Sequence, residues 1–127
     1  CTLIRSGARF YSTHPDINCP TATGFIPDSG AICGAITLST GVKPRYFGKP
    51  NAETADMLCR MSGLDRSEIA MVGDRLYTDI ALGKKNGLLS ILVMTGETTP
   101  EMLQNAAADE TPDLIFDGIK DIPVYNN

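Results

Sequence analysis

The stretch from residue 69 to residue 80 constrains the fold of this chain more than any other. It begins with the continuous apolar run Ile69-Ala70-Met71-Val72, which is typical of a strand buried on both faces of a parallel sheet. Gly73 and Asp74 follow at once, and Asp79 comes five residues after Asp74. Ligands of open α/β sheets bind at the carboxyl ends of the strands, and carboxylates are the ligands that Mg²⁺ prefers. The stretch therefore predicts a metal site at a strand end.

A second candidate strand end lies upstream, where Gly48-Lys49-Pro50 follows the run Arg45-Tyr46-Phe47. One lysine and two acids at neighbouring strand ends predict a pocket for phosphate and metal. The residues alone leave other interpretations open. A single lysine is usually a solvated surface residue, and Asp74 or Asp79 could instead cap the following helix.

Strand-like and helix-like segments alternate along the chain. This alternation predicts βαβ units, a parallel sheet and a Rossmann-like layered α/β fold. The predicted strands are 8–13, 44–47, 69–72, 88–94 and 113–116. The predicted helices are 1–6, 29–40, 51–62, 78–85 and 99–108. We expect a loop over 14–28 and one further turn within 119–125.

Helix-capping signals support three of these helices. Asp28 or Ser29 suits the N-cap of the helix that begins near residue 29, and Gly41 suits the left-handed position after its end. Gly63 is placed to end the next helix in the same way. Thr99-Pro100 predicts a helix start, because proline is tolerated in the first turn.

Five motifs resemble the haloacid dehalogenase-like (HAD) phosphatases. They are Tyr11-Ser12-Thr13-His14-Pro15-Asp16, Gly24-Phe25-Ile26-Pro27-Asp28-Ser29-Gly30-Ala31, Gly48-Lys49-Pro50, Met71-Val72-Gly73-Asp74-Arg75-Leu76-Tyr77-Thr78-Asp79-Ile80 and Thr95-Gly96-Glu97-Thr98-Thr99. In this order they are most similar to the NagD-like or 4-nitrophenylphosphatase branch, which carries a large cap domain. The resemblance implies a HAD-type parallel sheet with flanking helices.

The resemblance also implies roles for individual residues. Lys49 would be a catalytic residue that holds the phosphoryl group, and Asp74 and Asp79 would form the Mg²⁺ site. His14, in the cap loop, and Asn51 would bind the substrate. The substrates of this branch are small phosphorylated metabolites such as nucleotides, sugar phosphates, pyridoxal phosphate and 4-nitrophenyl phosphate.

The chain lacks the Asp-x-Asp pair that supplies the nucleophile and general acid in HAD phosphatases. Its aspartates occur at positions 16, 28, 56, 65, 74, 79, 109, 113, 117 and 121, and no two are separated by a single residue. We therefore expect an inactive C-terminal fragment of a phosphatase, with residues 1–43 from the end of the cap domain and residues 44–127 from the core. The alternative is a non-catalytic binding or assembly module that retains the fold.

Composition limits the classes of partner that this chain is expected to bind. A net charge of −4 argues against a nucleic-acid partner, and no apolar run approaches the roughly 18 residues needed to cross a membrane. The four cysteines show no C-x-x-C spacing, so we expect reduced thiols and a cytoplasmic protein rather than a zinc site. Because a fragment would expose apolar surface, we expect a homodimer.

Overall fold

The computed structural model describes residues 1–123, which pack into two compact units that divide between Gly48 and Lys49. The helices are α1 (Thr2–Arg5), α2 (Ser29–Thr40), α3 (Ala52–Ser62), α4 (Ala81–Asn86) and α5 (Pro100–Gln104). The strands are β1 (Tyr11–Ser12), β2 (Asn18–Thr21), β3 (Gly24–Pro27), β4 (Arg45–Tyr46), β5 (Ala70–Gly73), β6 (Leu89–Val93) and β7 (Leu114–Phe116).

The first unit contains two small sheets and helix α2. Strands β1 and β4 pair in parallel, with Tyr11 opposite Arg45. Strands β2 and β3 form an antiparallel hairpin inside the segment that we predicted to be a loop, so that prediction was wrong there. All four residues of β3 are exposed, so the hairpin has no buried face and leaves no alternation of apolar and polar residues in the sequence.

Helix α2 begins and ends as its capping signals predicted. The Asp28 side chain accepts a hydrogen bond from the backbone N–H of Ser29, and Gly41 closes the helix in the left-handed conformation at φ 76°. Gly30, in the first turn, lies directly against the loop that joins β1 to β2. A Cβ atom at Gly30 would lie 2.0 Å from the carbonyl oxygen of Pro15, so only glycine fits there.

The second unit is built on the parallel sheet β5-β6-β7, which confirms the predicted Rossmann-like α/β class. Strand β6 is central and is buried on both faces from Ser90 to Val93. Strand β5 lies at the edge of the described sheet, and its residues are half-buried or exposed rather than fully buried as predicted. Two apolar clusters pack within the unit, one around Ala55, Leu82 and Leu88 and the other around Leu76, Ile80 and Leu92.

The segment after β5 begins its helix earlier than predicted. A π-helical turn covers Leu76–Ile80 and leads directly into α4, so neither Thr78 nor Asp79 is an N-cap. Both side chains are buried within the turn. Asp79 is drawn inward because its carboxylate accepts a hydrogen bond from the backbone N–H of Arg75 at 3.2 Å.

The C-terminal elements follow the predicted order with shorter bounds. The Thr99 hydroxyl accepts a hydrogen bond from the N–H of Met102 and caps α5 as predicted, but the helix ends at Gln104. The Asn105 side chain donates to the carbonyl of Glu101 at 2.8 Å and satisfies a carbonyl of the last turn. A 3₁₀ turn at Ile119–Asp121 matches the predicted turn within 119–125, whose last two residues lie outside the described residues. No helix of the described residues is long and apolar enough to cross a membrane.

Asp113, directly before β7, connects this strand to β6 and α4 through its side chain. Its carboxylate accepts hydrogen bonds from the Ser90 N–H at 2.9 Å and the Ser90 hydroxyl at 2.7 Å. Lys84 Nζ lies 2.5 Å from its other oxygen. The hydrogen bond from Lys84, followed by those from Ser90, lowers the pKa of Asp113 from 3.8 to about 2.

The close approach at Gly30 predicts opposite effects for two glycine substitutions in one helix. Gly30→Ala should destabilise the chain by about 1–3 kcal/mol, because the added methyl group overlaps the backbone of Pro15. Gly34→Ala is the matched control. A Cβ atom at Gly34 would meet no atom within 4 Å apart from the nearby backbone of its own helix. The substitution should therefore stabilise the helix by about 0.5–1 kcal/mol. Urea denaturation of the three proteins checks both signs, and equal stability of Gly30→Ala and the parent would contradict the packing.

The lowered pKa of Asp113 predicts an acid-sensitive contribution to stability. The folded-state pKa lies below the unfolded value, so the contribution is complete above about pH 4 and is lost as the pH falls toward 2. In urea denaturation across this range, Asp113→Asn should lose less stability on acidification than the parent. Asp109→Asn should depart less from the parent, because the hydrogen bond from Lys85 that lowers the pKa of Asp109 belongs to an exposed ion pair that water screens. Parallel curves for the parent and Asp113→Asn would contradict the assignment.

Candidate functional site

The carboxyl ends of β5 and β6 bring two loops together in the second unit. The β5 loop carries Asp74, Arg75 and Asp79, and the β6 loop carries residues 95–98. The two strands are parallel and adjacent, so both loops leave the same edge of the sheet. This is the edge at which the sequence predicted a ligand site.

Asp74 is held by the loop after β6. Its Oδ2 accepts a hydrogen bond from the backbone N–H of Glu97 at 2.7 Å. Its carbonyl oxygen accepts from both the N–H and the hydroxyl of Thr98, at 3.1 and 2.5 Å. The residue is half-buried, and within residues 1–123 its second carboxylate oxygen, Oδ1, accepts no hydrogen bond. Asp74 thus offers one fixed carboxylate oxygen that remains available to a cation.

Asp79 has a different environment. Its side chain is 5% exposed, and Lys49 Nζ lies 2.5 Å from its Oδ1. Its Oδ2 accepts the hydrogen bond from Arg75 N–H. Both oxygens are therefore engaged within the protein. A buried carboxylate requires such compensation, because an unpaired charge in the interior costs several kcal/mol.

Lys49 reaches Asp79 from the start of the second unit. Its side chain is 44% exposed although its ammonium group is fixed by the carboxylate. The Lys49–Pro50 peptide bond is cis. Asn51 follows at the N-cap of α3, is half-buried and does not cap the helix with its side chain.

Two glycines allow the carboxylates to approach the backbone. A Cβ atom at Gly73 would lie 2.3 Å from Cγ of Asp79, and one at Gly96 would lie 1.9 Å from Oδ2 of Asp74. The sequence analysis named Gly73 only as the residue between the apolar run and Asp74, and it gave Gly96 no role of its own. The signal for Gly96 was its place in a short motif directly after the buried strand β6.

An ion pair that sequence reasoning did not identify joins the two loops. Arg75 Nε lies 2.8 Å from Glu97 Oε2, and the side chains are 24% and 39% exposed. The sequence analysis named Arg75 only as a member of a motif. Glu97 was given no role.

His14 lies in the first unit, beside two carboxylates. Its Nδ1 is 3.7 Å from Asp16, and its Nε2 is 3.7 Å from Asp28. These three residues each bring one potential ligand atom within 4.8 Å of the others. Such clusters are common without a bound ion, so the arrangement alone assigns no metal to them.

Comparison with known proteins identifies the family. The model of the HAD-hydrolase-like family matches residues 46–122, which is more than half of the chain. This chain belongs to the HAD-hydrolase-like family. The resemblance inferred from the five motifs is therefore confirmed, and the Lys49–Asp79 pair and Asp74 lie within the matched region.

Relatives with described activities are phosphatases. Over 102 residues the chain is 45% identical to an acid sugar phosphatase of Staphylococcus aureus, and the match covers 80% of this chain and 39% of that protein. The crystal structure of a 4-nitrophenylphosphatase from Thermotoga maritima is 50% identical, with a TM-score of 0.85 over 93% of this chain and 45% of that one.

A more distant relative has been solved with a metal. A glycerol phosphate phosphatase from Mycobacterium tuberculosis in complex with magnesium is 29% identical, with a TM-score of 0.88. That match covers 94% of this chain and 36% of the other. The chain thus spans less than half the length of each of these three relatives.

The buried Asp79 carboxylate predicts an energetic role for Lys49. Lys49→Met should destabilise the chain by about 2 kcal/mol, because it removes a charge-assisted hydrogen bond from a buried anion. Lys85→Met is the matched control, since it breaks an ion pair that is exposed on both sides, and it should change stability little. Denaturant unfolding at pH 7 measures both. Equal effects of the two substitutions would show that Asp79 does not depend on Lys49.

Proposed function

We propose that these residues form part of the active site of a phosphatase that hydrolyses small phosphate monoesters with Mg²⁺. The observation that carries this proposal is the pairing of Lys49 with the buried carboxylate of Asp79, in the loop that also carries Asp74. Phosphoryl transfer depends on cationic groups fixed around the transferring oxygens. Membership of the HAD-hydrolase-like family and the phosphatase relatives support the same reaction class.

Lys49 would stabilise the charge on the phosphoryl oxygens. Asp79 holds its ammonium group at 2.5 Å, so the cation need not be ordered when the substrate arrives. The exposure of its side chain supports access by a ligand. Lys49 is therefore our candidate for the catalytic residue of this chain.

Asp74 fits a Mg²⁺ ligand, because one of its carboxylate oxygens is not used by the described residues. Asp79 would contribute to the metal site through hydrogen bonds and water, since Lys49 and the Arg75 N–H already hold its oxygens. When bound, Mg²⁺ would neutralise part of the charge on the phosphoryl group.

The nucleophile would come from outside these 127 residues. The sequence contains no Asp-x-Asp pair, and the chain spans less than half of its named relatives. We propose that one aspartate of an Asp-x-Asp pair elsewhere in the protein attacks phosphorus and forms an acyl phosphate, while the second, protonated aspartate gives its proton to the departing ester oxygen. Water then hydrolyses the acyl phosphate and releases the first aspartate. Residues 1–43 would then belong to a cap domain and residues 44–127 to the catalytic core.

His14 and Asn51 are our candidates for substrate contacts. Asn51 follows Lys49-Pro50 closely in the chain, and its amide suits a phosphate oxygen. His14, between Asp16 and Asp28, would meet a polar group of the substrate. The substrate would be a small phosphorylated metabolite, as the names of the relatives suggest.

The setting would be a cytoplasmic homodimer. Large apolar side chains on the described surface support self-association, because exposed apolar area favours burial against a partner. Examples are Leu38 at 90% exposed, Leu3 at 75% and Phe25 at 74%.

Binding of Mg²⁺ to the 127-residue chain tests the proposed metal site. In a Mg²⁺ titration followed by NMR, the amide resonance of Glu97 should shift and saturate, because this N–H donates to Asp74. Asp74→Asn should weaken binding at least about tenfold, since it removes a charged oxygen ligand. Asp109→Asn removes an exposed carboxylate elsewhere and should leave the affinity unchanged.

Two outcomes would contradict this proposal in different ways. Equal Mg²⁺ affinity of the parent and Asp74→Asn would refute Asp74 as a ligand. Mg²⁺-dependent turnover of 4-nitrophenyl phosphate by the 127-residue chain alone would refute a nucleophile supplied from outside it. If a longer protein containing these residues also hydrolyses no phosphate ester, a binding or assembly module becomes the better hypothesis.

A further inference from the structure

The Arg75–Glu97 ion pair lies next to both carboxylates of the proposed site and has no part in the function described so far. Arg75 donates its backbone N–H to Asp79, and Glu97 donates its backbone N–H to Asp74. The two side chains then join each other at 2.8 Å. Each member of the ion pair thus holds one of the two acids through its main chain.

We infer that Arg75 and Glu97 are positioning residues whose ion pair fastens the loop after β6 to the loop after β5 and so orients the free oxygen of Asp74. This inference rests on the proposed function, because it assigns the oriented oxygen to Mg²⁺. Besides the ion pair, the loops are joined by the Glu97 N–H bond to Asp74 and by the two hydrogen bonds that Thr98 donates to the Asp74 carbonyl.

Gly96 makes the orientation sensitive to small shifts of the loop. It lies so close to Asp74 that even a methyl group would overlap the carboxylate. A loop that moved outward would lengthen the Glu97 N–H bond and allow the carboxylate to rotate. Mg²⁺ demands nearly ideal octahedral geometry, so a rotated ligand loses affinity.

A purely electrostatic role of the ion pair predicts different effects of substitution on Mg²⁺ affinity than a positioning role does, so the two roles can be distinguished by experiment. If the pair acted only through its charges, neutralising Arg75 would leave more negative charge near Asp74 and strengthen Mg²⁺ binding. Neutralising Glu97 would remove negative charge and weaken it. A positioning role predicts weaker binding in both cases, because either change breaks the same link.

The experiment uses the NMR titration with Mg²⁺ and amide hydrogen exchange at Glu97 without Mg²⁺. Arg75→Gln and Glu97→Gln should each weaken Mg²⁺ binding about tenfold and speed exchange of the residue-97 amide about tenfold. The double variant R75E/E97R restores the pairing with reversed polarity and should recover most of both losses. Lys85→Met breaks a comparable exposed ion pair elsewhere and should alter neither measurement.

Opposite effects of the two single substitutions on affinity would overturn the inference in favour of a purely electrostatic role. Unchanged exchange at residue 97 in both variants would overturn it as well, since the loop would then not depend on the pair. If the parent chain shows no saturable response to Mg²⁺, the proposed metal site fails instead. The exchange measurement, made without metal, then still decides whether the pair fixes the loop.

Discussion

The second unit depends on how it accommodates one buried charge, the carboxylate of Asp79. Burial of an uncompensated carboxylate would cost several kcal/mol, so the surrounding structure must supply donors. Lys49 reaches Oδ1 from 30 residues earlier in the chain, and the backbone of Arg75 reaches Oδ2 from within the same loop. The absence of a side chain at Gly73 allows this burial, because Asp79 occupies the space that a Cβ atom at the strand end would fill.

The two aspartates of this loop are consequently not equivalent. Both oxygens of Asp79 are engaged, by Lys49 and by the Arg75 N–H, whereas only one oxygen of Asp74 accepts a hydrogen bond from residues 1–123. A single sequence motif thus contains one acid that organises the site and one suited to bind a cation. Because both residues are aspartates, the sequence alone does not distinguish these two roles. The difference depends on burial and on hydrogen-bond donors contributed by distant residues.

The parts of the fold that could be predicted from sequence are those encoded by local signals. The caps at Asp28, Gly41 and Thr99 and the buried strand β6 were predicted because capping chemistry and apolar runs act over a few residues. The β2–β3 hairpin was missed because it buries no face, so its strands carry no apolar alternation. The early start of the helix after β5 was missed because its N-cap, Arg75, makes no side-chain capping hydrogen bond and so leaves no capping signal in the sequence.

The candidate site could likewise be predicted from the sequence only in part. Lys49, Asp74 and Asp79 were predicted from their positions after apolar runs, and the resemblance to HAD phosphatases supplied their individual roles. The structure brings Lys49 and Asp79 into contact. The role of Glu97 had no local signal, because a glutamate in a polar loop is usually solvated. Its importance appears only when the loop after β6 is placed against Asp74, with a backbone N–H and a side chain engaged at once.

The charges at this strand end bear on the order in which Mg²⁺ and a phosphate ester would bind to the proposed site. Lys49 pairs with Asp79 and Arg75 pairs with Glu97, whereas Asp74 has no cationic partner among residues 1–123. A divalent cation bound there would convert the local charge from net negative to net positive. A phosphate dianion would be repelled by the metal-free site and attracted to the occupied one. In the proposed site, this charge balance would favour metal binding before substrate binding.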